Sequence, residues 1–204
     1  MQITDIIPLD SKRRGVYIDG QYAFPLYLSE LNKYHISEGE QLSEDVLEII
    51  NEIIHRRIRE RILYLLGDMP RTEKNIRTKL LQSHYTDESI TPVIEELKEY
   101  KYIDDVNYAY DYANSLKFNG NKSRRIIEVK LYEKGVPRDI IYQVMNDIES
   151  DETEQLERMI RKKGYEPDEL CRLDHNSQQK IYRYLLGQGF ITRDICKYFH
   201  ESYE

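Results

Sequence analysis

The sequence predicts a mainly α protein in which three tandem three-helix modules form an elongated, curved array after a small N-terminal β-hairpin and short-helix extension. Three observations carry this prediction. Apolar residues recur with helical spacing over most of the chain. One apolar pattern recurs three times along it. Only the first part of the chain is rich in residues that favour β-strands.

The N-terminal extension is the β-rich part. Residues 3–9 and 16–24 contain many β-formers. They are broken by the Asp19-Gly20 pair, which favours a two-residue hairpin turn. Residues 26–34 are typical of a short helix. Ser43 then suits the N-cap of a long helix. Along that helix apolar residues recur every four positions, at Val46, Ile50, Ile54, Ile58 and Ile62.

The repeat is anchored at Leu80, Leu131 and Leu185, which are separated by 51 and 54 residues. Every copy carries an apolar residue four positions before its anchor and five, ten and fourteen positions after it. These residues are Ile76, Ile127, Ile181, Tyr85, Val136, Phe190, Ile90, Ile141, Ile195, Ile94, Met145 and Phe199. Because the copies align without gaps in a chain that is 40% hydrophobic, we interpret them as three modules of one kind.

Each copy is predicted to form a helix, a tight turn and a second helix. Gly135 and Gly189 suit left-handed helix ends, and Pro137 suits the first turn of the next helix. Thr86 or Thr192 suits an N-cap. A further helix is expected before each pair, over residues 59–66, 106–116 and 154–163. The predicted domains are therefore an extension, a long helix with the first module, a second module and a third module, over residues 1–42, 43–105, 106–150 and 151–204.

Composition indicates a protein of the cytoplasm. No run approaches the roughly 18 apolar residues that a membrane helix needs, and the first residues do not resemble a secretory signal. Cys171 and Cys196 lack metal-ligand spacing and are expected to be small core residues with free thiols. The net charge of −7 argues against a surface that binds nucleic acid all over.

Catalytic motifs are not found in the sequence. The five histidines are scattered, and no Gly-rich phosphate loop or nucleophile elbow occurs. The adjacent Asp104 and Asp105 are better explained as capping residues for the following helix than as metal ligands. We therefore predict no catalytic residue, no cofactor and no metal site, and a protein that binds macromolecules.

Positive charge is concentrated in two places. Residues 117–138 contain seven basic residues and only two acidic ones. A second cluster comprises Arg56, Arg57, Arg59 and Arg61. Each cluster is either a solvated helix face or a binding surface, and the 18 tyrosines are likewise either compositional bias or part of binding surfaces.

Several short motifs resemble those of the RecX regulatory proteins. The first module resembles that family's signature in Pro70-Arg71-Thr72-Glu73, Ile76-Arg77, Lys79-Leu80, Leu97, Tyr102-Ile103-Asp104-Asp105 and Tyr108-Ala109. The second resembles it in Lys122-Ser123-Arg124-Arg125-Ile126, Leu131 and Lys134-Gly135-Val136. Two positions depart from the family pattern: Lys101 stands where a glycine is usual, and Asn121 interrupts a Gly-Lys pattern.

The resemblance implies a cytoplasmic protein that binds the RecA recombinase filament and limits its strand exchange, ATP hydrolysis and co-protease activity. We also expect weak binding to single- or double-stranded DNA. Because an elongated array with polar ends can remain monomeric, we expect a monomer. The contact residues expected on this basis are the basic side chains of the two modules, with Arg124 and Arg125 foremost. The full set is Lys117, Lys122, Arg124, Arg125, Lys130, Lys134, Arg138, Arg57, Arg71 and Arg77.

Two other functions stay open. Three-helix units with a tight turn resemble helix-turn-helix domains, so a regulator that binds DNA directly is one alternative. Against it, the second helices carry little positive charge, since residues 90–98 include Glu95 and Glu96 and residues 140–148 have no Lys or Arg. A structural adaptor between proteins is the other, and it predicts no response to DNA.

Overall fold

The computed structural model describes residues 1–120, 122–148 and 152–199. Contacts divide the chain into two compact units, Met1–Asp104 and Asp105–Glu204. The first unit contains β1 (Ile3–Pro8), β2 (Arg13–Ile18), β3 (Gln21–Tyr27), α1 (Leu28–Lys33), α2 (Glu44–Asp68), α3 (Glu73–Gln82) and α4 (Asp87–Glu99). The domain boundary that we predicted between residues 150 and 151 lies outside the described part of the chain.

The N-terminal extension forms a three-stranded antiparallel sheet in the order β1-β2-β3, one strand more than a hairpin. The predicted turn joins β2 to β3. Asp19 and Gly20 have φ values of 48° and 80°, the positive values that a two-residue hairpin turn needs. The added strand, β1, pairs with the other side of β2, so that Ile3 lies opposite Ile18.

The sheet and the first module share one hydrophobic core. Helix α2 is capped by Ser43 and buries Ile50, Ile54, Ile58 and Ile62 as predicted. These side chains pack in one cluster with sheet residues such as Val16 and with the buried residues of α3 and α4. The C-terminal half of α2 therefore serves as the first helix of module 1, while its N-terminal half supports the sheet.

Two polar contacts fasten the sheet to the turn between α3 and α4. The guanidinium of Arg13 donates to the carbonyl of Ser83 at 3.0 Å, and the hydroxyl of Tyr22 donates to the carbonyl of His84 at 2.6 Å. The extension thus satisfies carbonyl groups that the end of α3 leaves open.

The second unit contains two further three-helix groups. Its elements are α5 (Asp105–Phe118), α6 (Arg124–Lys134), α7 (Arg138–Asp147), α8 (Glu152–Lys162), a 3-10 helix (Pro167–Arg172), α9 (His175–Gly187) and α10 (Thr192–Cys196). Helices α5 to α7 enclose one apolar cluster around Leu131, and α8 to α10 enclose another around Leu185. The 3-10 helix has no counterpart among the described residues of the other two modules and contributes the buried Leu170.

The predicted repeat is present in three dimensions. Fourteen of its fifteen apolar side chains are buried, and Phe199 is half-buried against the third core. In each module the residue five positions after the anchor donates its N–H to the anchor carbonyl, at 3.2 Å for Tyr85, 3.1 Å for Val136 and 3.3 Å for Phe190. This bond closes the helix end before the turn.

Two helix N-termini and the two cysteines differ in detail from the sequence prediction. Thr86 caps α4 as predicted, but Ile191 stands at the N-cap of α10, so Thr192 is its first residue. Pro137 occupies the N-cap of α7 instead of a position inside its first turn. Both cysteines have free thiols, and they are half-buried beside their core instead of fully enclosed in it.

Candidate functional site

The candidate contact residues of the first module are held by their own chain. Arg71 donates from Nε to the Leu65 carbonyl at 2.9 Å and reaches Asn75 at 3.3 Å, so it closes the C-terminal end of α2. Arg77 joins α3 to α4 through Asp87 at 3.1 Å and Thr91 at 3.0 Å. These guanidinium groups organise module 1 and present few free N–H groups to a partner.

A carboxylate network accompanies Arg77. Glu73 accepts from Arg77 at 2.8 Å and pairs with Lys98 of α4 at 3.1 Å. Burial raises the pKa of Glu73, but the hydrogen bonds from Arg77 and Lys98 outweigh it, so its pKa lies below its ordinary value. Burial lowers the pKa of Arg77, and its pairs with Glu73 and Asp87 raise it above the ordinary value.

Arg57 of α2 is also engaged, in contact with the N-terminal extension. Its guanidinium forms an ion pair with Glu30 of α1, lies 3.5 Å from the Pro25 carbonyl and stacks 4.7 Å from the centre of the Tyr27 ring. Arg57 therefore ties α2 to the sheet and to α1.

Arg124, one of the two residues that the sequence favoured, is tied into module 2. Its guanidinium donates to the Met145 carbonyl near the end of α7, approaches Asn146 at 3.5 Å and pairs with Glu128 at 3.4 Å. Its backbone N–H donates to Glu152 of α8 at 2.7 Å. This arginine fastens the start of α6 to the end of α7 and to the third module.

Lys122 and Lys117 lie at the preceding corner. The ammonium of Lys122 donates to the side-chain carbonyl of Gln188, at the end of α9. That bond joins the second and third modules within the same unit. Lys117 lies near the end of α5, with its ammonium 5.4 Å from the centre of the Phe118 ring.

The remaining candidates are on the outside of module 2. Arg125 is exposed and forms no ion pair with any residue that the structure describes. Lys130 pairs with Glu133 at 2.7 Å. Lys134 lies 5.5 Å above the Tyr112 ring, and Arg138 lies 5.6 Å from the centre of the Tyr132 ring.

An exposed face of α6 and α7 brings two of these arginines together with tyrosine and valine side chains. Arg125, Val129 and Tyr132 follow one another at helical spacing along α6. Arg138 reaches from α7 over Tyr132, and Tyr142 lies one turn further along α7. Tyr132 and Tyr142 are 56% and 73% exposed. We call Arg125, Val129, Tyr132, Arg138 and Tyr142 the module 2 face.

A groove of about 310 Å³ opens in this face between α6 and α7. Glu128, Val129 and Tyr132 of α6 line one side, and Arg138 and Ile141 of α7 line the other. The sequence prediction included the two arginines but missed the apolar part. A signal was available, because Val129 and Tyr132 lie outside the apolar positions of the repeat, and their apolar side chains are not typical of a solvated helix face.

Metal and membrane features are not found in the described chain. Within residues 1–120, 122–148 and 152–199, no group of three or more His, Cys, Asp or Glu side chains could hold a metal ion. None of the described helices combines the length and hydrophobicity that crossing a membrane requires.

Sequence comparison gives close relatives over the whole chain. The family model for "RecX, first three-helix domain" matches residues 59–97, which run from α2 to α4. A "Regulatory protein RecX" from Caldanaerobacter subterraneus subsp. tengcongensis is 31% identical over 201 residues, covering 97% of this chain and 98% of that protein. One from Clostridium botulinum is 27% identical over 194 residues, covering 92% of this chain and 90% of the relative.

Solved structures share the fold. A crystal structure of regulatory protein RecX superimposes with a TM-score of 0.63 at 24% identity and covers 98% of this chain and 99% of that one. The crystal structure of RecX from Lactobacillus salivarius gives a TM-score of 0.60 at 21% identity over 72% of this chain and 95% of its own. These two structures show the shared fold. The Caldanaerobacter relative, which is 31% identical over nearly the whole length of both chains, shows the family: the chain belongs to the RecX family of regulatory proteins.

Proposed function

We propose that this chain is a cytoplasmic regulator that binds the RecA recombinase filament on DNA and limits its ATP hydrolysis, strand exchange and co-protease activity. Membership of a family of regulatory proteins supports the regulatory role. The single observation that supports a contact with the filament is the module 2 face, an exposed surface that combines arginine, tyrosine and valine.

The composition of the module 2 face suits a protein partner. Tyrosine and arginine are the residues that most often dominate binding energy at protein interfaces, and they do so where apolar neighbours exclude water. Tyr132 and Val129 supply the apolar surface and the groove between α6 and α7 supplies a recess for a partner side chain. Arg125, which forms no ion pair with the described residues, supplies a guanidinium for a carboxylate or phosphate.

Direct readout of DNA bases by the last helix of a module, as in a helix-turn-helix domain, is less well supported. On α4, Glu96 pairs with Arg59 at 3.1 Å and Glu95 with Lys98 at 3.2 Å. This surface therefore carries carboxylates, and the nearby basic groups are already engaged in ion pairs with them. On α7 the only Lys or Arg is Arg138, at its first residue. A helix in the major groove needs polar or basic groups that reach base edges.

The test is single-stranded-DNA-dependent ATP hydrolysis by the cognate recombinase with this protein added below one molecule per recombinase subunit. Wild-type protein should suppress hydrolysis. The Arg125→Ala/Tyr132→Ala variant should need about tenfold more protein for the same suppression, the size expected from losing one interface hot spot. Both side chains are exposed, so the variant should keep its circular dichroism spectrum and its unfolding midpoint.

A matched control replaces an exposed arginine and an exposed tyrosine elsewhere. Arg56→Ala/Tyr100→Ala does so in the first unit and should suppress hydrolysis like wild type. Equal suppression by both double variants would remove the module 2 face from the proposal. Unchanged hydrolysis at every ratio of wild-type protein, with tight binding to naked duplex DNA, would favour the direct DNA-binding regulator. Recombinase binding that is the same with and without DNA would favour the adaptor.

A further inference from the structure

A second recess lies in the first unit, where the N-terminal sheet, α2 and the turn between α3 and α4 meet. It has a volume of about 460 Å³, which is large enough for a small ligand. Its wall includes three arginines, Arg13, Arg57 and Arg61, together with Tyr27, Tyr64 and Glu60. We call these six residues the arginine–tyrosine pocket. The module 2 face contributes none of them.

Two of the arginines are held rigidly. Arg13 pairs with Asp10 at 2.7 Å and donates to the Ser83 carbonyl at 3.0 Å. Backbone hydrogen bonds from Lys12, with the Arg13 side chain, lower the pKa of Asp10 to about 2, so the pair is intact at neutral pH. Arg57 is fixed by Glu30 and by the Tyr27 ring. Because these side chains are already ordered, the protein would lose little side-chain entropy when a ligand binds to them.

The third arginine is available to a ligand. Arg61 is exposed and forms no ion pair with the described residues. Its guanidinium lies 5.3 Å from the centre of the Tyr64 ring, so the ring orients it. Tyr64 itself is 65% exposed. One wall of the pocket therefore presents an exposed aromatic ring and, above it, a guanidinium that has no ion-pair partner in the described part of the chain.

Phosphate and an unpaired base match these two groups. A guanidinium binds phosphate through paired N–H groups, and an aromatic ring stacks on any nucleobase. A lone carboxylate side chain would pair with Arg61 but would make no use of the exposed part of the Tyr64 ring. Glu60 lies in the same wall and can accept a hydrogen bond from the amino group of a base such as cytosine.

We infer that the arginine–tyrosine pocket binds one unpaired nucleotide of single-stranded nucleic acid, with its phosphate on Arg61, its base on Tyr64 and a base amino group on Glu60. The inference deepens the proposed function, since it rests on nucleic acid being a partner of this regulator, but it does not depend on recombinase binding. It gives the N-terminal extension a part in binding, because Arg13 and Tyr27 complete the pocket.

The experiment measures fluorescence anisotropy of a short labelled oligodeoxycytidylate titrated with the full-length protein in the absence of recombinase. Tyr64→Ala and Arg61→Ala should each weaken binding about tenfold, as expected for loss of a stacking platform or a phosphate contact. Oligodeoxythymidylate, which lacks the amino group, should bind more weakly to wild type. Glu60→Ala should remove that difference between the two oligonucleotides.

The matched controls are Tyr100→Ala and Arg56→Ala. Tyr100 is 64% exposed, like Tyr64, and Arg56 is an exposed arginine of α2. Neither lines the pocket. Both variants should bind like wild type, and circular dichroism should report the same helix content for all five variants.

Three results would overturn the inference. One is the absence of saturable binding by wild type at low salt. Another is equal weakening in pocket and control variants, which would mean diffuse electrostatic attraction. The third is displacement of the oligonucleotide by a polyglutamate peptide from wild type but not from Arg61→Ala, which would assign the pocket to acidic protein segments. The Arg125→Ala/Tyr132→Ala variant should keep its oligonucleotide binding, so this test and the ATPase test can fail separately.

Discussion

Helix ends in this protein depend on single residues in the left-handed conformation. In the three modules the residue four positions after the anchor leucine has a positive φ, which is 69° at His84, 88° at Gly135 and 89° at Gly189. Lys101, after α4, is the position where the resemblance to the family pattern leads us to expect glycine. Its φ is 57°, and the following N–H of Tyr102 donates to the Leu97 carbonyl at 2.9 Å. The departure at Lys101 therefore leaves the turn intact and places a side chain in a conformation that favours glycine.

Replacing Lys101 by glycine should therefore stabilise the protein. We expect Lys101→Gly to raise the free energy of unfolding by roughly 0.5–1 kcal/mol, because the strain of a Cβ atom at positive φ is removed. Urea denaturation followed by circular dichroism measures it. Lys101→Ala is the control, since it removes the charge but keeps the Cβ atom, and should leave stability almost unchanged. An equal gain for alanine would mean that charge, not backbone strain, governs this position.

At the scale of elements, the corner after α9 packs closely against the start of α6. The Ser123 N–H donates to the Gln188 carbonyl at 3.4 Å, and the Lys122 ammonium donates to the Gln188 side chain. A Cβ atom at Gly189 would lie 2.3 Å from both the Ser123 hydroxyl and the Ile126 side chain. Glycine is needed here for close approach as well as for its positive φ.

Gly189→Ala should consequently cost more than backbone strain alone. We expect a loss of about 2–4 kcal/mol in the free energy of unfolding, the sum of a left-handed alanine and an overpacked contact. Gly164→Ala is the matched control, because Gly164 has a similar φ of 84° and open space around it. Its loss should be about 1–2 kcal/mol, from the backbone alone. Chemical denaturation of both variants measures the difference, and equal losses would show that α6 moves aside at little cost.

At the scale of the whole molecule, the two units have separate hydrophobic cores. The core of the first unit includes side chains from the sheet and from α2 to α4. The second unit contains the clusters around Leu131 and Leu185. Domains that have their own cores can unfold separately.

A core cavity in the first unit should therefore have a local effect. We expect Leu80→Ala, at a fully buried position, to destabilise that unit by roughly 2–5 kcal/mol. Hydrogen exchange followed by mass spectrometry should show faster exchange in peptides from residues 1–104 and unchanged exchange in peptides from residues 105–199. Leu131→Ala should produce the reverse pattern. Faster exchange throughout the chain in either variant would mean that the units unfold together.

Much of the fold could be predicted because it depends on local patterns. The positions of Leu80, Leu131 and Leu185 in the repeat are buried, and the Asp19-Gly20 turn and the Ser43 and Thr86 caps occur where the sequence indicates them. Helix periodicity, caps and turns involve residues within a few positions of one another. Their signals can therefore be recognised in one stretch of sequence.

The sites required the tertiary structure. The sequence alone determined that the chain is a helical repeat protein of this family with two basic clusters. Only the tertiary structure decided that Arg124 bonds to its own chain while Arg125 faces outward, and that Arg13 and Tyr27 join Arg61 and Tyr64 in one pocket. The physical reason is that long arginine side chains take whichever carbonyl, carboxylate or ring comes within reach. Partners distant in sequence come within reach only when the modules and the sheet pack.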